Sequence, residues 1–299
     1  MPKVSVVIPI YNVEKYIARC AKALLEQTLD DIEYVFVNDC TPDNSMDILK
    51  SVIEEYPQRK KDVRITSTPQ NSGLPTARKT GILLTTGEYI IHCDSDDWPE
   101  PSMYEKLYNK AKKGDYDIVY CDFFMSTNHS KTIVKKDKES WLMNGPIWNR
   151  LVKGSICRDN YIIYPMANKT EDGALIMQYC YYSKSRAYVA EPLYNYFVNE
   201  ESMTRIKTKE AYIKNLKEEI QNTDLRIDFL RRHNAEEKFV KNIYLWKYTC
   251  RSNLLPIIAE SYQLWRDTYP ELDRHYQICK YLRFRSIVKY LMIRWRLYK

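Results

Sequence analysis

Apolar residues in the first hundred positions follow two alternating patterns. Short β-branched runs typical of buried strands lie at 3–10, 33–39, 63–68 and 88–93. Between them, apolar residues recur at helical spacing in 13–27, 43–56 and 75–84. Because strands and helices alternate, we expect a mostly parallel sheet with helices on both faces. The sequence therefore predicts an α/β fold that is Rossmann-like in its architecture.

Further along the chain the alternation continues and then stops. A helix at about 102–113 and a strand at 117–125 are predicted, followed by a polar, lysine-rich stretch, 126–150, that is typical of a β-turn excursion or loop. Beyond residue 208 the apolar spacing is helical throughout, with no strand signal. We therefore expect a large α/β domain over 1–207 and a helical region over 208–299.

The most informative chemistry lies where the fourth predicted strand ends. The run GEYIIHCDSDDWP leads from an apolar strand directly into Asp94, Asp96 and Asp97. Buried carboxylates need a cation or a hydrogen-bonding ligand, and this edge of an α/β sheet is where ligands bind. Helix capping is the structural alternative, but Ser102 and Glu105 form a predicted capping box of their own. Oxygen ligands suit Mg²⁺ or Mn²⁺, so we expect a metal site for a nucleotide diphosphate.

Two common phosphate-binding loops are absent from the sequence. The chain has seven glycines, and none of them forms Gly-x-Gly-x-x-Gly or a P-loop. The charge of a diphosphate must therefore be met by the metal together with an arginine or lysine. Arg78, near the first turn of the predicted helix 75–84, is the candidate, although pairing with a surface acid is the alternative.

Composition narrows the class of protein. The chain of 299 residues contains 44% hydrophobic and 28% charged residues, as in ordinary globular proteins. No apolar run approaches the ~20 residues that cross a bilayer, and the N-terminal run is β-branched rather than a signal peptide. The eight cysteines are scattered without a Cys-x-x-Cys pair, which favours reduced thiols. We therefore expect a cytoplasmic protein.

The net charge of +7 equals the seven basic residues of 280–299, a segment without acids, so the rest of the chain is formally neutral. We accordingly expect no nucleic-acid partner. Apolar and aromatic residues recur at helical spacing in 281–299, flanked by basic residues. This pattern predicts an amphipathic helix. It serves either as a peripheral anchor on the inner face of the membrane or as a terminal helix packed on the body.

Several motifs together resemble the family-two glycosyltransferases of GT-A fold, of the bacterial type that builds capsule, lipopolysaccharide or exopolysaccharide. They are VSVVIPIYNVEKYI, QTLDDIEYVFVND, NSGLPTARKTGI, GEYIIHCDSDDWPEP and KTEDG, and the resemblance covers about 1–205. It implies an inverting, metal-dependent enzyme that moves a sugar from a UDP-sugar to a hydroxyl of a lipid-linked glycan acceptor. It also implies a nucleotide-binding half, 1–100, and an acceptor-binding half, 101–207.

The resemblance assigns roles at the predicted donor site. Asp96, with Asp94, would bind Mn²⁺ or Mg²⁺. Asp39 would accept a hydrogen bond from the N3–H of uracil, although a turn-forming or helix-capping role is the alternative. The residues expected around the nucleotide follow predicted strands or begin helices: Pro9, Ile10, Tyr11, Asp39, Arg78, Asp94 and Ser95.

The resemblance also implies that Asp172 is the catalytic base. Transfer passes through an oxocarbenium-like transition state, and the acceptor hydroxyl needs a carboxylate to take its proton. Glu171 and Asp172 could instead cap the following helix, and Trp148 is equally compatible with the core. The candidate acceptor or diphosphate contacts are Glu171, Trp148, Asn149, Lys153 and Arg205.

The sequence departs from the family pattern at one motif, where Asp-Asp-Gly-Ser-Thr-Asp is replaced by Asn38-Asp39-Cys40-Thr41-Pro42-Asp43. The first carboxylate is missing, so contacts to the nucleoside are expected to differ. Two other functions stay open. A sugar-nucleotide nucleotidyltransferase requires a glycine-rich N-terminal loop, where this chain has VVIPIYN. A catalytically silent nucleotide- or carbohydrate-binding module is the other.

Overall fold

The computed structural model describes residues 1–135, 145–198, 208–254 and 258–273, with side chains omitted for 258–261. The chain forms two compact units, Met1–Arg205 and Ile206–Lys299. Strands and helices alternate in the first unit. They are β1 (Val4–Ile10), α1 (Ile17–Leu25), β2 (Ile32–Asn38), α2 (Ser45–Glu54), β3 (Val63–Ser67), α3 (Leu74–Leu84), β4 (Tyr89–His92), β5 (Trp98–Pro99), α4 (Met103–Gly114), β6 (Ile118–Ser126), β7 (Lys131–Val134), β8 (Arg150–Lys153), α5 (Gly154–Arg158), α6 (Glu171–Tyr182) and β9 (Arg186–Phe197).

The strands form one sheet in the order β3-β2-β1-β4-β8-β6-β9-β5, with β7 paired to β6. The pairings among β1, β2, β3 and β4 are parallel, as is that of β6 with β9. The pairings of β8 with β4 and β6, of β5 with β9, and of β7 with β6 are antiparallel. The half of the sheet formed by the first four strands therefore brings their carboxyl ends to one edge.

Both faces of the central strand β1 are covered, which explains why this strand is buried along its whole length. Val6 and Ile8 of β1 pack in a cluster that includes Leu24 of α1 and Leu49 of α2. Val7, which points to the opposite face, packs in a second cluster with residues of α3, α5 and α6. A strand buried on both faces carries no polar alternation.

Several short elements were not predicted from the sequence. The two-residue strand β5 and the four-residue strand β8 are too short to show a period, and the lysine-rich 126–150 contains β7 in a hairpin with β6. The predicted capping box is wrong. The Ser102 side chain makes no capping bond, and Glu105 instead accepts a hydrogen bond from Thr28 Oγ1 at 2.6 Å.

The described part of the second unit is helical, with α7 (Lys209–Arg232), α8 (Val240–Asn253) and α9 (Ile258–Asp267). Thr208 Oγ1 caps α7 by accepting a hydrogen bond from Ala211 N at 3.2 Å. Among the helices described, none is both long and apolar enough to cross a membrane. The basic segment 281–299 lies outside the described residues.

Gly81 sets how closely α3 approaches the sheet. A Cβ at this position would overlap Val7 Cγ1 of β1 and lie 3.1 Å from Val37 Cγ2 of β2. We expect Gly81→Ala to lower the free energy of unfolding by ~1–3 kcal/mol, because overpacking outweighs the better helix propensity of alanine. Urea titration measures the change. Leu83→Ala, on the exposed side of the same helix, should differ from the parent by ~0.5 kcal/mol at most. A Gly81→Ala protein as stable as the parent would contradict this packing.

Candidate active site

The candidate site is built from the segments that follow β1, β2 and β4. Ile10 of β1 is in register with Asn38 of β2, and Asp39 N donates to Ile10 O at 3.0 Å. On the other side of β1, Cys93 N donates to Val7 O at 3.0 Å. The turns that begin at Tyr11, Asp39 and Asp94 therefore emerge at the same edge of the sheet, where open α/β sheets bind ligands.

Asp39 is buried and organises the loop in front of α3. Its Oδ1 accepts hydrogen bonds from Thr68 Oγ1 at 2.7 Å and Ser72 N at 2.9 Å. Its Oδ2 accepts from Gly73 N at 2.8 Å. The carboxylate thus fixes the loop over 68–73 while lying at the sheet edge. Pro9 is buried in β1, whereas the side chain of Tyr11 is exposed.

The unusual motif after β2 is held by hydrogen bonds within its own turn. Asn38 Oδ1 accepts from Thr41 N at 2.9 Å, so the amide that replaces a carboxylate closes the turn. Asp43 Oδ1 accepts from Ser45 Oγ and Thr41 Oγ1, both at 2.6 Å, at the beginning of α2. Cys40 has a φ of +53°, a left-handed conformation in which glycine is the least strained residue. The departure from the family pattern therefore places a cysteine in a backbone conformation that favours glycine.

The acidic turn after β4 holds its three carboxylates in different environments. Asp97 is buried, and its Oδ1 accepts from Phe197 N of β9 at 2.7 Å. Asp94 and Asp96 are only partly buried, while Ser95 between them is buried. The backbone N of Asp94 donates to the hydroxyl of Tyr194 at 3.1 Å. Asp97 therefore has a structural role, and Asp94 and Asp96 are the two accessible carboxylates of this turn.

Burial and neighbouring negative charges raise the pKa values of Asp96 and Asp97 in this turn. The pKa of Asp96 is raised to about 6 by burial, with a further contribution from the charge of Asp94. The pKa of Asp97 is raised well above its ordinary value by burial and by the charges of Asp96 and Asp94. An acidic turn of this kind is stabilised when a cation binds to it.

Arg78 of α3 joins the acidic turn to the beginning of α6. It is almost completely buried, its Nη2 lies 2.8 Å from Asp94 Oδ1, and its Nε lies 3.1 Å from Glu171 Oε1. Burial lowers the pKa of Arg78, but the carboxylates of Asp94 and Glu171 outweigh it and raise the pKa above its ordinary value. These contacts engage Nε and Nη2 of Arg78, whereas Nη1 has no hydrogen-bond partner among the described residues, so a direct approach of Arg78 to the diphosphate stays a prediction. The same contacts exclude a surface ion pair.

Glu171 and Asp172 occupy the first turn of α6, which begins at Glu171. Glu171 is buried, and burial raises its pKa to about 8 although the Arg78 charge opposes the shift. Its Oε1 is paired with Arg78, and a direct contact of Glu171 with the acceptor or the diphosphate stays a prediction. Asp172 is partly exposed, and its Oδ1 accepts a hydrogen bond from Gly173 N at 2.6 Å. The carboxylate of Asp172 is therefore accessible to a ligand, whereas that of the preceding Glu171 is buried.

Two other predicted contacts are corrected by the fold. Trp148 is buried and stacks on Tyr194, with ring centroids 4.3 Å apart. Asn149 is fully buried, and its Nδ2 donates to Cys121 O at 2.6 Å. Both residues are therefore core residues. Arg205 lies outside the described residues.

Lys153 is placed away from the candidate site by the direction of its strand. It is in register with Tyr89, the first residue of β4, and the site lies beyond the other end of β4. The Nζ of Lys153 lies 3.0 Å from Asp115 Oδ1. Because β8 runs antiparallel to β4, Lys153 lies at the opposite edge of the sheet.

Arg19 of α1 contributes to the site although sequence reasoning did not identify it. Its Nη2 donates to the backbone O of Asp96 at 3.0 Å, and its guanidinium lies 3.7 Å from the ring centroid of Trp98. Arg19 thus fixes the backbone of the acidic turn by a hydrogen bond and a cation–π contact. No sequence signal pairs a residue of the first helix with a turn 77 positions later.

The residues at this edge suit a small divalent cation. Mg²⁺ and Mn²⁺ prefer oxygen ligands and retain waters, so one or two carboxylates together with ligand phosphates suffice. Asp94 is already paired with Arg78, which leaves Asp96 as the better direct ligand. No group of three or more His, Cys, Asp or Glu residues arranged for a metal occurs within 1–135, 145–198, 208–254 and 258–273.

Comparisons with known proteins identify the family and the fold. The family model described as Glycosyl transferase family 2 matches residues 5–177. A protein named uncharacterized glycosyltransferase EpsJ of Bacillus subtilis strain 168 is 29% identical over 280 residues, covering 87% of this chain and 78% of its own length.

Two solved structures share the fold. TarS 1-349 of S. aureus in complex with UDP-GlcNAc has a TM-score of 0.62 at 16% identity, covering 92% of this chain and 91% of its own. Mannosyltransferase PcManGT from Pyrobaculum calidifontis, in complex with GDP-Man and Mn²⁺, has a TM-score of 0.57 at 14% identity, covering 99% and 88%. The predicted GT-A fold is thereby confirmed.

Proposed function

The chain belongs to glycosyl transferase family 2, and from that premise we propose an inverting, metal-dependent transfer of a sugar from a UDP-sugar to a hydroxyl of a glycan acceptor. The observation that carries the proposal is the contact of Arg78 with both Asp94 and Glu171, at 2.8 and 3.1 Å. It brings a donor-side carboxylate and the segment before Asp172 to one place in the fold. A transferase needs both groups close together, because one bond breaks as the other forms.

On the donor side, Asp96 would hold Mn²⁺ or Mg²⁺ and Asp94 would assist it. When bound, the cation neutralises charge on the departing diphosphate. Asp39 would accept a hydrogen bond from the nucleoside base, with Pro9, Tyr11 and Ser95 around it. The named neighbours with UDP-GlcNAc and with GDP-Man and Mn²⁺ support a nucleotide-sugar donor and a divalent cation for this fold.

On the acceptor side, Asp172 would take the proton of the attacking hydroxyl. The hydroxyl oxygen then forms a bond to the anomeric carbon as the bond to the diphosphate oxygen breaks. A single displacement of this kind needs one base and no covalent sugar–enzyme intermediate, and it inverts the anomeric configuration. The partly exposed carboxylate of Asp172 in the first turn of α6 supports this role.

The acceptor is proposed to be a lipid-linked glycan of surface polysaccharide biosynthesis. EpsJ, whose name describes a glycosyltransferase, supports the reaction type. The segment 281–299 is proposed to hold the protein at the membrane surface, where such an acceptor would lie. Its basic residues would each add ~1 kcal/mol of attraction to anionic lipid.

A donor screen tests the reaction and its metal requirement. Release of the nucleoside diphosphate is measured with UDP-, GDP- and dTDP-sugars in Mn²⁺, in Mg²⁺ and in excess chelator. We expect release from a UDP-sugar that falls ~10³-fold in chelator, because the cation supplies several kcal/mol of transition-state stabilisation. Added Mn²⁺ should restore it. Undiminished release in chelator would contradict the metal requirement, and release from a GDP- or dTDP-sugar alone would contradict the donor.

A further inference from the structure

Helix α3 contacts the segment before Asp172 at two points. Leu74 N donates to Asn168 Oδ1 at 3.1 Å, and Arg78 Nε donates to Glu171 Oε1 at 3.1 Å. Leu74 and Arg78 are four positions apart, so they lie on the same face of α3. We call these two hydrogen bonds the α3–α6 contact, since they hold the residues that lead into α6.

The first of these bonds satisfies a donor that α3 cannot satisfy itself. The first N–H groups of a helix lack partners within it, and the residue before α3 is Gly73, which has no side chain to cap them. Asn168 supplies the missing acceptor from 94 positions away. The approach is close, since a Cβ at Gly73 would lie 2.7 Å from Asn168 Oδ1. Gly73 also has a φ of +84°, which glycine adopts without strain.

The same turn of α3 is held by the carboxylate proposed to contact the nucleoside. The Oδ1 of Asp39 accepts from Ser72 N at 2.9 Å, and its Oδ2 accepts from Gly73 N at 2.8 Å. The next amide, that of Leu74, is bound by Asn168. Three consecutive amides thus connect the donor-side loop to the segment that carries Asp172.

The segment that these bonds hold contains a strained residue. Thr170, immediately before α6, has a φ of +61°, a left-handed conformation that threonine rarely adopts. Such conformations persist where the surrounding structure enforces them. The bonds at Asn168 and Glu171 lie on either side of Thr170 and supply that enforcement.

We propose that Asn168 and Glu171 are positioning residues for sugar transfer, orienting Asp172 through the α3–α6 contact. The inference rests on the proposed function, because it requires Asp172 to act as the base. A base displaced by about 1 Å from the acceptor hydroxyl can cost ~10²-fold in rate without loss of donor binding. Neither residue touches the reacting atoms in this role.

The test compares variants at Asn168 with a matched asparagine. Asn168→Ala removes the acceptor, whereas Asn168→Asp keeps an oxygen and places a negative charge that suits the N-terminus of α3. Asn160→Ala is the control, because Asn160 Nδ2 donates to Ser155 O and Ile156 O, without an observed bond to α3 among the described residues. The measurements are kcat of transfer, KM for the donor, the Kd of UDP in Mn²⁺ and the thermal midpoint.

We expect Asn168→Ala to lower kcat ~10- to 100-fold, with donor KM and UDP Kd within about twofold of the parent. Asn168→Asp should have most of the parent kcat, and Asn160→Ala should have the parent kcat. Glu171→Gln, which retains an oxygen for Arg78, should lose less rate than Glu171→Ala. If the Glu171 variants do not fold, the Asn168 series at an exposed position still decides the question.

The inference is overturned if Asn168→Ala transfers sugar at the parent rate or if Asn160→Ala loses as much kcat as Asn168→Ala. It is also overturned if Asn168→Asp is as slow as Asn168→Ala. A loss of kcat that is matched by a loss of UDP affinity would show a structural role alone and overturns it too. A parent protein that transfers no sugar in the donor screen would contradict the proposed function and the positioning role together. An Asn168→Ala protein that transfers sugar at the rate of an active parent would contradict the positioning role alone.

Discussion

Asp96→Asn is expected to lower sugar transfer ~10³-fold, because a neutral amide is a far weaker ligand for a divalent cation than a carboxylate. The partly buried Asp96 lies beside Asp94, whose Oδ1 is already engaged by Arg78 at 2.8 Å, so neighbouring groups cannot replace it fully. The affinity for UDP in Mn²⁺ should fall as well. Calorimetric titration of UDP with Mn²⁺ and with chelator, beside initial rates of transfer, measures both effects.

Asp115→Asn provides the matched control for that variant. Asp115 is an exposed acid paired with Lys153 at the opposite edge of the sheet, and its φ of +46° is a conformation that asparagine accepts. The same chemical change there should leave transfer and UDP affinity at parent values. Parent-like transfer by Asp96→Asn, or an equal loss in both variants, would show that Asp96 does not hold the cation.

Asp172→Asn is expected to lower kcat by ~10²–10⁴-fold while the affinity for UDP in Mn²⁺ stays within about twofold of the parent. An amide keeps the shape of the carboxylate and can still accept a hydrogen bond from Gly173 N, which donates to Asp172 Oδ1 at 2.6 Å. It cannot accept the proton of the acceptor hydroxyl. Steady-state rates with saturating donor and acceptor, together with UDP titration, separate the two effects.

Asp159→Asn is the control for the base, since Asp159 is an exposed acid in the loop between α5 and α6. It should transfer sugar at the parent rate. If Asp172→Asn retains the parent kcat, Asp172 is not the base. If kcat and UDP affinity fall together, the residue supports the site structurally and another group takes the proton.

Asp96→Asn and Asp172→Asn test the donor side and the acceptor side of the site separately. Loss at Asp96 should appear in both binding and rate, because a cation held by Asp96 would favour both the binding of the nucleotide and the departure of the diphosphate. Loss at Asp172 should appear in the rate alone, because the proton moves only as the new bond forms. Arg78, which contacts Asp94 and Glu171, physically joins the two sides.

Strand ends could be read from the sequence because they depend on local order. Apolar runs ending at Asp39 and at Asp94 predict carboxylates at one edge of a parallel sheet, and the structure places both there. The GT-A fold and membership of the glycosyltransferase family were predicted from the same motifs and are confirmed.

Long-range packing and strand direction decided the positions of residues that the sequence pattern could not place. Lys153 lies close in sequence to Trp148, yet the antiparallel strand β8 carries it to the far edge of the sheet. Asp97 belongs to the same acidic run as Asp96, but the amide of Phe197 engages it from 100 positions away. Side-chain type alone could not separate Asp97 from the accessible acids Asp94 and Asp96.

The sequence by itself determined the alternation of strands and helices in the first hundred residues, the acidic turn after β4 and the family, because periodicity and motif are properties of neighbouring residues. Only the tertiary structure decided which charges meet. Arg78 and Glu171 are 93 positions apart, and they pair because α3 and α6 pack on the same face of the sheet. A buried guanidinium needs carboxylate partners, and the fold alone determines which carboxylates are within reach.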